Sequence, residues 1–185
     1  MKLHPVIGLV GKSKAGKSTL MKEVLRAVPG LQVIKSITTR GWRENEEDDL
    51  FYHFTSREAF EHKIAQGDFT VWMEHAGNYY GYDRTIVRDI LAQSLGICAI
   101  TEDKALEFAQ EFLLKAIKIV PEGGNEMREA FYATHPGRKE ADEKREKVHI
   151  PLAGYLVNSF APGGKEEATA ALVLLIEKIA ETKKG

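Results

Sequence analysis

The residues best suited to chemistry form a short glycine-containing segment near the start of the chain. Its eight residues fit the spacing G-x-x-x-x-G-K-[ST]: Gly11-Lys12-Ser13-Lys14-Ala15-Gly16-Lys17-Ser18. In such a loop the backbone N–H groups surround phosphate oxygens, the lysine adds a positive charge beside them, and the serine hydroxyl can coordinate Mg²⁺. We therefore expect Ser18 to be a metal ligand and nucleotide phosphates to be bound by Gly11, Lys14, Ala15, Gly16, Lys17, Ser18 and Thr19.

This motif requires a strand before it and a helix after it, and the sequence predicts both. Val6 to Val10 is an apolar run typical of a buried strand. A helix is expected from Ser18 until Pro29-Gly30, because apolar residues recur at helical spacing and proline with glycine ends such a pattern. The context supports phosphate binding but does not distinguish a kinase from a GTPase or a motor protein.

Strand and helix patterns alternate along the rest of the chain, which predicts an α/β fold with a central, mostly parallel sheet. Further strands are expected at 32–38, 51–55, 97–101, 116–120 and 155–158, with a hairpin over 69–80 that turns at Gly77-Asn78. Helices are expected at 55–67, with Thr55 and Glu58 as a capping box, at about 104–114 and at 168–179. Another helix follows the hairpin with a core-facing set: Ile86, Val87, Ile90 and Leu91.

Composition limits the classes of protein and partner. The chain has 185 residues, 43% of them hydrophobic and 29% charged, which fits one folded domain and excludes disorder throughout. A formal net charge of −1 argues against a nucleic-acid-binding surface, and the longest apolar run, Ala170 to Ile176, is too short to span a membrane. The single cysteine, Cys98, indicates a reducing cytoplasm, and no histidine spacing suggests zinc. Monomer and homodimer both remain open.

A second group of residues lies downstream of the phosphate loop. It comprises Ser36-Ile37-Thr38-Thr39-Arg40, Arg43, Tyr52 and Gly77-Asn78-Tyr79-Tyr80-Gly81. With the loop, this series resembles the guanylate kinases from about residue 5 to 105. The resemblance implies a three-layer kinase fold in one domain over 1–185. Its parts would be a core (about 1–35, 84–120 and 150–185), a small β-rich monophosphate-binding region (about 36–83) and a mobile helical lid (about 121–148).

The resemblance also implies the reaction and its residues. ATP with Mg²⁺ would phosphorylate a nucleoside monophosphate, with GMP favoured, giving GDP and ADP. Two arginines and two tyrosines would hold the acceptor phosphate, since guanidinium groups match its charge and geometry: Arg40, Arg43, Tyr52 and Tyr80. Ser36 would contact the base and Asp103 would lie near the nucleotide, although Asp103 could instead cap a helix that starts near Lys104.

The implied catalytic residues carry positive charge, which stabilises a phosphoryl group in transfer. They are Lys17, Arg40, Arg43 and Arg145. Two early lid arginines of the family fall on Ala130 and Thr134, so the lid is altered. Arg128 and Arg138 are nearby and could compensate.

The region that would bind the base departs from the family in two places. A glutamate that accepts hydrogen bonds from guanine is replaced by Val71, and a small hydroxyl residue is replaced by Tyr82. Losing such a bond should lower guanine affinity by roughly one to two decades. We therefore expect a drier, narrower pocket, although the Tyr82 hydroxyl could still bond a base edge.

An acidic residue expected near the Mg²⁺ site is also missing, because Thr101 occupies its position. Glu102 is not expected to replace it, since neighbouring strand residues face opposite sides. These departures leave two alternatives. One is a related kinase with a changed acceptor, either another nucleotide or a ribose phosphate. The other is a non-catalytic binding module, like the guanylate-kinase-like scaffold domains that bind peptides.

Overall fold

A computed structural model describes residues 2–42, 50–135 and 137–181. The strands within them are β1 (Val6–Val10), β2 (Gln32–Val33), β3 (Ser36–Thr38), β4 (Tyr52–Phe54), β5 (Phe69–His75), β6 (Asn78–Asp83), β7 (Gly96–Ala99), β8 (Leu114–Glu122) and β9 (Leu152–Ser159). The helices are α1 (Lys17–Ala27), α2 (Arg57–Gln66), α3 (Arg84–Gln93), α4 (Glu102–Phe108), α5 (Asn125–Thr134), α6 (Arg138–Glu146) and α7 (Gly164–Glu181).

The central sheet has the order β2-β7-β1-β8-β9, and all its neighbouring strands are parallel. Alternate residues of β1 face opposite sides. Ile7 and Leu9 pack with α1 and α7, whereas Val6 and Val10 pack with α3 and α4. Because apolar side chains cover both faces, the sheet lies between two helical layers, as parallel sheets require. The predicted α/β fold is therefore confirmed.

A second sheet has the order β4-β3-β6-β5. The pair β3–β4 is parallel, and the other two pairs are antiparallel. The prediction of one strand over 32–38 is wrong: β2 pairs with β7 in the central sheet, and β3 pairs with β4 and β6 in the second. A continuous strand pattern does not reveal that the chain changes pairing partners within it. The division into core, monophosphate-binding region and lid stays a prediction.

The hairpin between β5 and β6 turns one residue earlier than predicted. His75 pairs with Asn78, so the two turn residues are Ala76 and Gly77. Their φ angles are 50° and 73°. Positive φ at both central residues is what a type I′ turn requires, because its twist matches that of the flanking strands.

Several helix boundaries also differ from the predictions. Ser56, and not Thr55, caps α2, since its hydroxyl accepts a hydrogen bond from the N–H of Ala59 at 3.2 Å. In α3 the side chain of Ile86 is 46% exposed, so it does not face the core. Helix α4 ends at Phe108 because residues 109–111 form a turn before β8 begins at Leu114.

The charged stretch 121–148 is largely helical, as predicted, although β8 continues to Glu122. Helices α5 and α6 together are called the lid below. The lid follows β8 and precedes β9 at one end of the central sheet, which places it near the loop that follows β1. No helix in the described parts of the chain is long and apolar enough to cross a membrane.

Candidate active site

Residues 11–16 form a loop between β1 and α1 whose two glycines are sterically required. Gly11 has a φ of 135°, and a Cβ there would lie 2.5 Å from the carbonyl oxygen of Ile119. Gly16 has a φ of 90°, and a Cβ there would collide with the side chain of Asn158. Gly16 caps α1 without a side-chain acceptor. In the described parts of the chain no side chain caps the first N–H groups of α1, an arrangement that favours an anion.

Lys17 places its ammonium group inside this loop. It donates hydrogen bonds to the carbonyl oxygens of Gly11 at 2.5 Å and Lys12 at 2.7 Å. Burial lowers the pKa of Lys17 to about 8, and the negative charges of Asp142 and Glu102 oppose that lowering. Among the described residues no carboxylate contacts this ammonium directly, so the loop holds a cation that is suited to an anionic ligand.

Next to the loop lies a cavity of about 280 Å³. The phosphate loop, the second sheet and helix α6 all contribute to its wall. Its polar lining includes Ser13, Lys17, Ser18, Ser36, Arg40, Tyr52, Tyr80, Arg138, Asp142 and Arg145. Residues distant in sequence are thus brought to the wall of one cavity.

Arg40, Tyr52, Tyr80 and Ser36 lie together on the second-sheet side of the cavity. Arg40 is 9% exposed, and its guanidinium carbon lies 4.9 Å from the ring centre of Tyr52. The rings of Tyr52 and Tyr80 meet edge to face at 6.4 Å. The Ser36 hydroxyl lies 3.4 Å from the carbonyl oxygen of Gly81. Arg43, a further residue of the sequence prediction, falls outside the described residues.

The far end of the cavity is apolar. Val71 and Tyr82 are cross-strand partners and are 4% and 7% exposed. The Tyr82 hydroxyl donates a 2.6 Å hydrogen bond to the carbonyl oxygen of Ala99, and burial raises the pKa of Tyr82. This proton is already used within the protein, so the structure does not offer it to a base edge. Ile34 and Ile100 complete the apolar wall.

From the lid side, Arg138 and Arg145 reach the cavity. Burial is the main reason that the pKa of Arg138 is lowered. Arg128 turns elsewhere: its guanidinium donates to the carbonyl oxygen of Gly123 at 2.8 Å and does not line the cavity. Of the two arginines that could compensate for Ala130 and Thr134, only Arg138 is therefore in place.

Residues 2–111, more than half of the chain, match the family described as Guanylate kinase. The chain belongs to the guanylate kinase family. The guanylate kinase of Desulfitobacterium hafniense is 37% identical over 142 residues, which are 76% of this chain and 71% of that protein. That of Symbiobacterium thermophilum is 42% identical over 88 residues, 48% of this chain.

The second of these matches spans only 42% of the length of the Symbiobacterium protein. Among solved structures, guanylate kinase from Anaplasma phagocytophilum superposes with a TM-score of 0.71 at 20% identity, covering 96% of this chain and 87% of its own. At that identity the likeness supports the fold alone, which agrees with the parallel central sheet.

Asp103 lies differently from the expectation for this family. It does not line the cavity, and one of its carboxylate oxygens lies 3.7 Å from the Nε of Arg145. Nor does it cap a helix, because α4 begins at Glu102 with Thr101 as its cap residue. Its position therefore favours contact with the lid rather than with a nucleotide.

Glu102 is a buried carboxylate to which the strand alternation used in the sequence analysis does not apply. It is 3% exposed, lies 3.6 Å from the ammonium of Lys118, and helps to raise the pKa of Lys17. The strand β7 ends at Ala99, so the alternation rule used for Glu102 does not apply at the start of a helix. The acidic side chain was visible in the sequence, but its direction was not.

Asn158 and His75 are two further residues that sequence reasoning missed. The Asn158 amide donates to the carbonyl oxygen of Ala15 at 2.9 Å and lines a smaller cavity with Gly16 and Thr19. His75 lines the main cavity, and its Nε2 is buried with no hydrogen-bond partner among the described residues. Burial is the main reason that the pKa of His75 is lowered. Position at strand ends was the only sequence signal for either residue.

The remaining residues of the predicted phosphate site differ in accessibility. Ala15 is 1% exposed, and the Lys14 ammonium lies 5.1 Å from the ring centre of Phe131 rather than in the cavity wall. The Ser18 hydroxyl does line the cavity. In the described parts of the chain, no three His, Cys, Asp or Glu side chains cluster as a metal site. One hydroxyl fits Mg²⁺ that arrives with ATP, because phosphates and water supply most of its ligands.

Proposed function

We propose that this chain transfers a phosphoryl group from ATP to a nucleoside monophosphate, with GMP as the favoured acceptor. The observation that carries the proposal is the single cavity shared by the phosphate loop, by Arg40 with Tyr52 and Tyr80, and by lid arginines. Membership of the guanylate kinase family supports the same reaction.

The phosphate loop is the proposed donor site. Its N–H groups, the N-terminus of α1 and the Lys17 ammonium would bind the ATP phosphates, while Thr19 and Asn158 line the adjoining smaller cavity suited to the rest of the nucleotide. Ser18 would hold Mg²⁺. When bound, that ion would neutralise charge on the phosphate oxygens.

The second sheet is the proposed acceptor site. Arg40 would pair with the monophosphate, Tyr52 and Tyr80 would donate hydroxyl hydrogen bonds, and Ser36 would approach the base; Arg43 is proposed to join them from outside the described residues. An ionised phosphate oxygen of the acceptor attacks the γ-phosphorus, and the bond to the β–γ bridging oxygen breaks, which leaves ADP. No general base is needed, because phosphate monoesters have a second pKa of about 6.

The lid is proposed to complete the site. Arg138 and Arg145 face the space between donor and acceptor, where negative charge develops in the transition state. A closed lid would also exclude water and so limit hydrolysis of ATP. Asp103 would contribute through Arg145 rather than by contact with nucleotide.

A second candidate is transfer to a monophosphate other than GMP. Val71 offers no acceptor to the amino group of guanine, and the Tyr82 hydroxyl is bonded to Ala99. Both observations favour a base that has fewer hydrogen-bond donors than guanine on the corresponding edge. We further propose a cytoplasmic setting, which the buried free thiol of Cys98 fits, and a monomer or homodimer as the working assembly.

A coupled ADP-release assay with ATP and Mg²⁺ tests these proposals. GMP, dGMP, AMP, UMP and CMP are compared, with Lys17→Ala as the inactive control. We expect turnover with GMP and a loss of about 10²-fold or more in the control. Higher kcat/KM with another monophosphate would favour the second candidate. Absence of Lys17-dependent turnover with all five would contradict phosphoryl transfer to a nucleotide.

A further inference from the structure

A buried carboxylate connects the lid to the phosphate loop. Asp142 on α6 is 6% exposed. Its Oδ2 accepts hydrogen bonds from the backbone N–H of Ser13 at 2.8 Å and from the hydroxyl of Tyr132 at 3.0 Å. Its Oδ1 lies 3.7 Å from Nη1 of Arg145. One side chain thus contacts the loop, the other lid helix and a cavity-lining arginine.

Two weaker contacts flank this carboxylate. Glu146 lies 3.1 Å from the Lys12 ammonium, and Lys14 lies 5.1 Å from the ring centre of Phe131. The side chains of Lys12 and Glu146 are 37% and 41% exposed, and exposed ion pairs contribute little. The buried contact of Asp142 is therefore the one able to fix the lid on the loop.

We propose that Asp142 is a positioning residue for phosphoryl transfer, which fastens α6 to the phosphate loop and directs Arg145 at the cavity. The inference rests on the proposed function. Its physical basis is that hydrogen bonds to an ionised acceptor are roughly twice as strong as neutral ones. Asp142 accepts from one N–H of the loop, that of Ser13, while the first N–H groups of α1 have no capping side chain among the described residues.

The first test is amide hydrogen exchange of the nucleotide-free protein, which needs no activity. Asp142→Ala should speed exchange of the Ser13 N–H and its loop by about tenfold or more, the scale of a lost charged hydrogen bond. Asp142→Asn keeps an acceptor oxygen and should lie between the wild type and Asp142→Ala. Glu143→Ala, an exposed acid on the same helix, is the matched control and should behave like the wild type.

The second test is kinetic. Asp142→Ala should lower kcat by about 10- to 100-fold with little change in the KM for the acceptor. Asp142→Asn keeps an acceptor oxygen for the Ser13 N–H and should recover part of the lost kcat. Glu143→Ala should leave both kcat and KM unchanged.

Three results separate the possibilities. If Asp142→Ala exchanges like Glu143→Ala, the carboxylate does not fasten the lid and the inference is wrong. If Asp142→Ala lowers the KM for ATP without lowering kcat, Asp142 competes with phosphate, which also overturns it. If the wild type transfers phosphate to no monophosphate, the proposed function fails, and exchange still decides whether Asp142 holds the lid to the loop.

Discussion

Lys17 holds a buried ammonium group against two backbone carbonyl oxygens, and this should make the stability of the protein depend on pH. Its pKa is lowered from 10.5 to about 8, chiefly by burial. That difference corresponds to about 3 kcal/mol of unfavourable free energy in the folded state while the amine is charged. Lys17→Met removes the charge, so the variant should be more stable than the wild type at neutral pH.

The sign of the pH dependence follows from proton binding. Below about pH 8 the lysine is charged in both the folded and the unfolded chain, so the full free-energy cost of burying the charge lowers the stability of the folded state. Between about pH 8 and pH 10.5 the unfolded chain binds more protons than the folded one, so the stability contribution rises with pH. The advantage of Lys17→Met should therefore shrink by about 2–3 kcal/mol from pH 7 to pH 10.

Urea unfolding of the wild type and of Lys17→Met at matched pH values measures this difference. Other titrating groups are common to both proteins and cancel when the two unfolding free energies are subtracted. Saturating ATP should abolish the pH dependence that Lys17 contributes, since bound phosphate stabilises the charged lysine. A difference between the two proteins that stays constant from pH 7 to pH 10 would refute the reasoning.

Three further predictions concern other parts of the molecule. Arg138→Ala should lower kcat by about 10²-fold, whereas Arg128→Ala should remain near wild type, and equal effects in steady-state assays would contradict the placement of Arg138. Ala76→Asn should raise the free energy of unfolding in urea by about 0.5 kcal/mol, because asparagine tolerates the positive φ of a type I′ turn better than alanine does. A lower free energy of unfolding in this variant would argue against that turn. Cys98 is fully buried, and burial raises the pKa of its thiol to about 12. A thiol reagent should therefore label it slowly until urea unfolds the chain. Rapid labelling of the native protein would contradict the burial of this thiol.

The sequence predicted features whose causes lie within a few neighbouring residues. Gly11 and Gly16 were identified from motif spacing, and their φ angles of 135° and 90° are ones that glycine adopts without strain. The alternating strand and helix patterns predicted the α/β class, because apolar spacing reports which faces are covered. The series from Ser36 to Gly81, together with the phosphate loop, indicated the family, and five of its residues line the cavity: Ser36, Arg40, Tyr52, Tyr80 and Gly81.

Local patterns failed where the outcome depended on a distant partner. The run 32–38 looked like one strand, but its two halves pair in different sheets. Strand alternation was used to place Glu102 on the side opposite to Thr101, yet Glu102 begins a helix and is buried near Lys118. Arg128 and Arg138 were equivalent in sequence, and only the folded lid distinguishes them.

The phosphate loop contains features of both kinds, those that a local pattern predicts and those that depend on a distant partner. Its glycines, lysine and serine were predicted directly from the spacing of the motif. Its contacts with Asp142 and Asn158 join residues 129 and 143 positions apart. Such pairs form only when the sheet brings the ends of β1, β8 and β9 together, so the tertiary structure alone decided that a lid carboxylate lies on the loop.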